Sequence, residues 1–428
     1  MPDALPNGRP RERVALVLAG GGARGAYEAG ALAVLLPALA ARGQSPDVIV
    51  GTSIGALNGA FLAARAAEPP AIVCGEAVEM WRGLRWGDAL RPLVSTAELG
   101  RVLSAGAMLA GLPSARVPGL LDPSPLRRTL SRLVSFKEIA RNVEGGALAA
   151  AAVVATSYAT TRSVVFHHGG PEIGADPVRS IDYAATRLAP EHVLASAAIP
   201  AAFPAVEIKK PRAACGWYGD GGVRLNAPLA PALALGADRV VVIGLNSSVT
   251  SARPPRRPDA TDGVAQLLQV VLSDQLAEDV ATLATVNEVL ASTQTGEAKG
   301  AAAHRRRKIP YIFVAPCDRL EIGRLAHRMY TRHYARIDKL VRNPSLALLG
   351  RIVSAQRSAV HGDLLSYLLL APEFIDELIA LGERDARRWL SERHDAELWQ
   401  LGPLPADTGS SAPKRPKRRS ASARAAKG

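Results

Sequence analysis

Two stretches decide the fold: residues 14–25 read VALVLAGGGARG, and residues 47–55 read DVIVGTSIG. Each begins with a short apolar run, continues through a glycine-containing turn and leads into an apolar helical stretch, over 26–36 and 56–67 respectively. Continuous apolar runs of this kind are typical of strands that are buried on both faces of a parallel sheet. The two stretches therefore predict consecutive strand–helix units of an α/β protein.

The same alternation of short apolar runs and longer helical stretches continues to about residue 246. Later strands are predicted at 150–155, 163–167, 239–243 and 309–314. We expect a mostly parallel central sheet with helices packed on it.

The spacing of apolar residues over 263–290 is helical. We interpret residues 12–395 as one domain, with a motif-bearing core at 12–246 and a helical completion at about 260–395. A separate helical domain that begins near residue 260 is the alternative. Proline, serine and basic residues dominate 403–428, which predicts a disordered basic tail.

The formal charge of +13 is concentrated in this tail, because seven basic residues and no acidic ones follow Ser411. The tail has no aromatic residue to stack on bases and no DNA-binding motif, so nucleic acid is an unlikely partner. Its expected role is a solvated extension. Peripheral contact with an anionic membrane is the second interpretation.

The N-terminal residues lack the apolar segment of a signal peptide, and no run reaches the roughly 18 to 20 apolar residues of a spanning helix. The three cysteines, Cys74, Cys215 and Cys317, are scattered without the spacing of a zinc site or a disulfide framework. We expect free thiols in a reducing compartment, hence a cytoplasmic protein that is soluble or peripheral at the membrane.

The first turn consists of Gly20, Gly21, Gly22, Ala23, Arg24 and Gly25. A strand–turn–helix context also suits a dinucleotide-binding loop, but such a unit normally has an acidic residue at the end of its second strand. Here the second strand ends in a serine motif instead.

That second turn consists of Gly51, Thr52, Ser53, Ile54 and Gly55. A GxSxG sequence between a strand and a helix is typical of a nucleophile elbow, where flanking glycines relieve crowding and the serine hydroxyl projects above the sheet. The motif alone also occurs as a simple tight turn. Its position after a strand and before a helix favours Ser53 as a nucleophile.

Acyl transfer needs N–H donors that point at the developing oxyanion, and a glycine-rich helix N-terminus supplies them. Gly21 and Gly22 are the preferred donors. Arg24 either adds positive charge near the oxyanion or a lipid phosphate, or is a solvated or structural arginine.

A third element, Asp220-Gly221-Gly222, supplies a candidate base, although an aspartate before two glycines is also a common turn. We place it in a loop after Trp217 and Tyr218.

Together, GGGARG, GTSIG and DGG, in this order, resemble the three signature motifs of the patatin-like phospholipase family. The segment 195–204, ASAAIPAAFP, is similar to the block that precedes the family's aspartate, and 367–386 is more weakly similar. The resemblance implies a three-layer α/β/α sandwich, Ser53 as nucleophile, Asp220 as its base and the Gly20–Gly25 loop as oxyanion hole. It also implies hydrolysis of fatty acyl esters of phospholipids or other glycerolipids through an acyl-enzyme, without metal or cofactor.

Two other functions compete with this one. The first is an α/β-hydrolase triad that uses Ser53, an aspartate and a late histidine such as His327 or His361, but in that fold the nucleophile elbow follows more strands than it does here. The second is a non-catalytic protein that binds membranes or nucleic acid through its basic tail. Residues 79–121 are a candidate lid over an acyl-chain pocket, with buried core as the more common explanation.

Overall fold

Strand β1 (Val14–Leu18) lies near the middle of a nine-stranded sheet in the computed structural model. The structure describes residues 12–89, 121–200, 202–226, 228–245, 276–293, 308–334, 359–393 and 398–403. The other strands are β2 (Pro46–Thr52), β3 (Ala150–Ser157), β4 (Ser163–Gly169), β5 (Ile181–Ala185), β6 (Val206–Ile208), β7 (Gly216–Asp220), β8 (Arg239–Ile243) and β9 (Tyr311–Val314).

The main path through the sheet is β5-β4-β3-β2-β1-β8-β9. Off this path, β7 pairs with β3 and with β6. Strands β3, β2, β1, β8 and β9 are parallel. Antiparallel pairs join β3 to β4, β3 to β7 and β6 to β7. The expected mostly parallel sheet is confirmed.

Helices cover both faces of the sheet. They are α1 (Gly25–Ala40), α2 (Ile54–Ala63), α3 (Pro70–Gly83), α4 (Trp86–Ala89), α5 (Ser124–Leu133), α6 (Phe136–Glu144), α7 (Pro190–Ser196), α8 (Gly222–Leu225), α9 (Leu229–Ala234), α10 (Leu276–Thr293), α11 (Glu321–His333), α12 (Ala359–Leu368) and α13 (Pro372–Ser391). Helix α2 packs on β1, β2 and β3 and contacts α1, and α9 packs on β1 and β2. Because parallel crossovers are right-handed, this chain order puts α1 and α2 on one face and α9, on the way to β8, on the other. This is the three-layer α/β/α sandwich.

The carboxyl ends of the parallel strands meet at one edge of the sheet, and all three motifs lie there. The glycine loop follows β1, the serine motif follows β2, and Asp220 ends β7 beside the carboxyl-terminal half of β3. In α/β sheets, ligands bind at this edge.

Helices α1 and α13 pack at very short distance through two glycines. A Cβ atom on Gly30 would lie 2.1 Å from the Ile379 carbonyl oxygen, and one on Gly382 would lie 2.1 Å from the Tyr27 carbonyl oxygen. The buried phenol of Tyr27 also donates to Asp385 Oδ2 at 3.0 Å. The C-terminal helix is thereby attached directly to the helix that follows the glycine loop.

The structure differs from the sequence prediction at several elements. Asp220 is the last residue of β7 and does not lie in a loop. Helix α1 continues through Pro37 to Ala40. The proline costs the helix the hydrogen bond of its missing N–H, and only three helical residues follow it. The short strands β5, β6 and β7 were missed, since each lacks a long apolar run.

The division into a core at 12–246 and a completion at 260–395 stays a prediction, and the basic tail lies outside the described residues. Within the described residues, no helix combines the length and apolar character needed to cross a membrane.

We expect Gly30→Ala to lower the free energy of unfolding by about 1–3 kcal/mol, because the added methyl group forces α1 and α13 apart. Gly75→Ala is the matched control: Gly75 lies in helix α3, and its Cβ would meet nothing within 4 Å. Alanine there should be neutral or stabilise by up to about 1 kcal/mol. Urea unfolding of both variants measures the difference, and equal stabilities would contradict the close packing.

Candidate active site

Ser53 connects β2 to α2 in a conformation that few non-glycine residues adopt, with φ 53° and ψ −119°. Such a backbone is strained by about 1–3 kcal/mol and persists only where the surroundings enforce it. A Cβ atom on Gly51 would lie 2.2 Å from the Gly55 carbonyl oxygen, and one on Gly55 would lie 2.5 Å from the Leu18 carbonyl oxygen. Both flanking glycines are therefore required by the sharp turn.

The Ser53 hydroxyl donates a hydrogen bond to Asp220 Oδ2 at 2.7 Å, and both residues are buried. Sheet register brings them together: Thr52, at the end of β2, lies opposite Val154 of β3, and Asp220 lies opposite Ala155, the next residue along the same edge of β3. Strand β4 occupies the other edge. The two residues that the sequence singled out are thus neighbours where β2 ends and β7 continues the pairing with β3.

The Asp220 carboxylate is almost completely desolvated, which raises its pKa to about 6. Hydrogen bonds from the Ser53 hydroxyl and from the Gly222 N–H, which donates to Oδ1 at 2.7 Å, lower the pKa and partly offset the burial. The carboxylate is therefore poised to exchange a proton near neutral pH.

Ser196, at the end of α7, holds the elbow from behind. Its Oγ accepts a hydrogen bond from the Ser53 N–H at 2.7 Å and donates one to the Val154 carbonyl oxygen at 2.5 Å. The residues just after α7 support Asp220, whose N–H donates to the Ala198 carbonyl oxygen at 2.8 Å. The sequence shows this segment only as a block similar to that of the family, and the role of Ser196 does not follow from it, because a buried serine carries no local signal.

Asn226 connects the glycine loop to the aspartate motif. Its Oδ1 accepts the Gly20 N–H at 3.0 Å, and its Nδ2 donates to the Gly20 carbonyl oxygen at 3.4 Å. A Cβ atom on Gly20 would lie 2.9 Å from the Ser53 Cβ, so the loop begins directly against Ser53. Gly221 is packed equally closely, since its Cβ would lie 2.3 Å from the Val154 carbonyl oxygen.

The Gly20 N–H is occupied by Asn226 and is not a donor for an oxyanion. In the described part of the chain, the N–H groups of Gly21 and Gly22 donate to no protein acceptor. Gly22 has a φ of 59°, and a Cβ there would lie 2.2 Å from the Tyr367 carbonyl oxygen. Gly21 and Gly22 remain the candidate donors that the sequence indicated.

The Arg24 side chain has a structural role. It is fully buried; Nε donates to Ser366 Oγ at 2.7 Å, and Nη2 donates to Asp363 Oδ1 at 2.5 Å. Its guanidinium also lies 4.1 Å from the centroid of the Tyr367 ring. Of the two interpretations of Arg24, the structure supports attachment of the glycine loop to α12.

A second buried network supports the loop from the other side. Asn58 Nδ2 donates to Glu28 Oε2 at 2.7 Å and to the Gly25 carbonyl oxygen at 3.0 Å, and the Trp81 indole donates to Asn58 Oδ1 at 3.0 Å. Trp81 is 1% exposed, so this part of the candidate lid is buried core. Residues 90–120 of that candidate lie outside the described residues.

None of the described histidines contacts the Ser53–Asp220 pair. His327 is exposed on α11, and His192 interacts with the backbone of Ala189 and Lys210. His361 lies on α12, and the structure does not describe its side chain. The described residues contain no cluster of side chains suited to a metal ion.

Comparison with known proteins assigns the chain to a family. A family model described as patatin-like phospholipase matches residues 16–233, just over half of the chain, and spans all three motifs. The chain belongs to the patatin-like phospholipase family. The match confirms the resemblance seen in the sequence, and the patatin-like fold agrees with the three-layer arrangement of the sheet and helices.

Among solved structures, this patatin-like chain is similar to VipD from Legionella pneumophila, with 14% sequence identity and a TM-score of 0.28. The match covers 73% of this chain and 64% of the VipD chain, so it spans less than two thirds of VipD. No curated protein matches the chain.

We expect Arg24→Ala to destabilise this patatin-like protein by about 3–5 kcal/mol, because it leaves the buried Asp363 carboxylate without its arginine. Thermal unfolding measures the loss. Arg42→Ala, at an exposed arginine, is the control and should unfold like the wild type. An Arg24→Ala variant that keeps its melting temperature but loses phospholipid turnover would instead place Arg24 at the lipid phosphate.

Proposed function

We infer that the protein is a serine lipid acyl hydrolase that cleaves fatty acyl esters of phospholipids or other glycerolipids. The observation that carries this proposal is the hydrogen bond of 2.7 Å between the hydroxyl of Ser53, in its strained elbow, and the buried Asp220 carboxylate. Membership of the patatin-like phospholipase family supports a lipid ester as the substrate.

The proposed reaction has two halves. In the first, Asp220 takes the Ser53 proton while Oγ attacks the ester carbonyl carbon; the tetrahedral intermediate then expels the alcohol, which leaves with the proton from Asp220. In the second, Asp220 takes a proton from water, and the resulting hydroxide attacks the acyl-enzyme. The fatty acid leaves, and Ser53 recovers its proton from Asp220.

The negative charge of each tetrahedral intermediate needs donors that are already in place. The N–H groups of Gly21 and Gly22 fit this role because they lie on the loop that begins against Ser53 and have no protein acceptor in the described structure. Removal of one such donor typically lowers kcat by about 10²–10³-fold. The proposed chemistry is complete with protein groups and water.

The histidine-based alternative is less well supported, because Asp220 contacts Ser53 Oγ directly, in the place where a triad histidine would lie. No specific observation favours a purely non-catalytic protein.

Ser53→Ala and Asp220→Asn should each lower the release of fatty acid by about 10³-fold or more, since one removes the nucleophile and the other its base. The measurement incubates each variant with a mixed lipid extract and identifies the released fatty acids and lyso-lipids by mass spectrometry. Ser163→Ala, at another buried serine in the sheet, is the control. Undiminished release by Ser53→Ala would refute the proposal.

Activity should increase with pH through about 6, because only the deprotonated form of Asp220 accepts the serine proton and burial raises its pKa to about 6. Below that value, kcat/KM on a soluble ester should fall about tenfold per pH unit. A profile with its midpoint near the ordinary aspartate pKa, or one that rises only in alkaline solution, would contradict Asp220 as the base.

A further inference from the structure

The hairpin formed by β6 and β7 projects from the edge of the sheet that carries Ser53. Strand β7 runs antiparallel to β3 and ends at Asp220, so its first residues extend beyond the carboxyl end of β3. Trp217 lies three residues before Asp220, roughly 10 Å along the strand. The connection 209–215 forms the tip of the hairpin, farther out still.

Two exposed aromatic residues lie opposite each other on neighbouring backbone segments at this rim. Trp217 is 55% exposed and Tyr158 is 52% exposed, and the Tyr158 N–H donates to the Trp217 carbonyl oxygen at 3.0 Å. The Tyr158 ring lies over Gly219, where a Cβ would be 3.0 Å from its Cε2 atom. No other large aromatic side chain in the described part of the chain is as exposed. Large aromatic rings are usually buried in the core, whereas these two are exposed to solvent.

The tip of the hairpin is basic. Lys209, Lys210 and Arg212 are exposed, and the only acidic residue of the hairpin before Asp220 is Glu207. Glu207 pairs with Lys209 at 3.4 Å. Among the described residues, Lys210 and Arg212 have no ion-pair partner. Two cations therefore remain available next to the exposed indole ring.

We propose that the β6–β7 hairpin, together with Tyr158, is the surface by which the protein docks on an anionic lipid bilayer. Tryptophan and tyrosine favour the boundary between lipid chains and headgroups, where an apolar ring and a polar group are both satisfied. Lysine and arginine next to them attract anionic headgroups. This pairing of ring and charge fits a membrane surface.

Docking in this way turns the Ser53–Asp220 edge of the sheet toward the bilayer, so the proposal rests on the proposed lipid hydrolase function. The hairpin also forms one wall of a cavity of about 560 Å³, which Leu126, Leu194 and Phe203 line with apolar surface. A protein partner is a weaker candidate, because a stable interface needs about 800 Å² from each side, far more than two rings and a short tip present.

The test uses the full chain with Ser53→Ala, so that vesicles are not hydrolysed during the measurement. Sedimentation should show binding to mixed phosphatidylcholine–phosphatidylglycerol vesicles and much weaker binding to pure phosphatidylcholine vesicles. Trp217→Ala should weaken binding at least about tenfold, and Lys210→Gln and Arg212→Gln about fivefold each. The two glutamine variants change exposed side chains and leave the fold intact. They therefore still test the proposal if Trp217→Ala fails to fold.

The matched controls lie at the opposite end of the sheet. Ile72→Ala removes an apolar side chain that is 55% exposed, like Trp217, and Arg42→Gln removes an exposed cation; neither should change binding. In the chain with Ser53 intact, turnover of a soluble ester by Trp217→Ala should equal that of the wild type.

Four outcomes would overturn the docking surface. Hairpin variants could bind anionic vesicles as well as the parent, or a control variant could weaken binding equally. Truncation after Gly402, with the hairpin intact, could abolish all binding, or the hairpin could bind a protein and no vesicles. Binding is measured without catalysis, so failure of the hydrolase proposal would appear only in the ester assay.

Discussion

The site depends on one buried interaction, the hydrogen bond between the Ser53 hydroxyl and the Asp220 carboxylate. Burial disfavours the charged carboxylate and raises its pKa to about 6, while two hydrogen bonds hold it in place. Because the folded-state pKa lies above the ordinary aspartate value, Asp220 destabilises the fold as pH rises from about 4 to about 6, and the loss is complete above that range. The fold tolerates this loss and keeps the Asp220 carboxylate against the Ser53 hydroxyl.

The surrounding structure enforces that geometry through close backbone contacts. The loop after β1, the elbow after β2 and the end of β7 approach one another so closely that a methyl group on Gly20, Gly55 or Gly221 would overlap a neighbouring atom. Side chains then fasten these three segments together: Ser196 holds the elbow N–H, and Asn226 holds the glycine loop. Strain at Ser53 persists because each neighbouring segment is itself fixed.

The C-terminal helices complete the site although they carry none of the three motifs. The Arg24 side chain extends from the glycine loop to α12, where its guanidinium contacts Asp363, Ser366 and Tyr367. Helix α13 packs on α1 through Gly30 and Gly382. The glycine loop is therefore held by residues more than 300 positions away in the chain. The β6–β7 hairpin carries its exposed rings and cations at the same edge of the sheet as Ser53.

The sequence by itself determined the two strand–turn–helix units, the serine at the elbow and the glycine loop, because those signals lie within a few neighbouring residues. It also indicated the family through the order of three motifs. Only the tertiary structure decided that Asp220, 167 residues from Ser53, meets it in space, since this contact depends on the register of β7 against β3. The roles of Ser196 and Asn226 were equally invisible, because a buried polar residue is defined by its partners, and those partners come from distant segments that only the packed fold brings together. For Arg24, only the fold decided between the interpretations that the sequence left open.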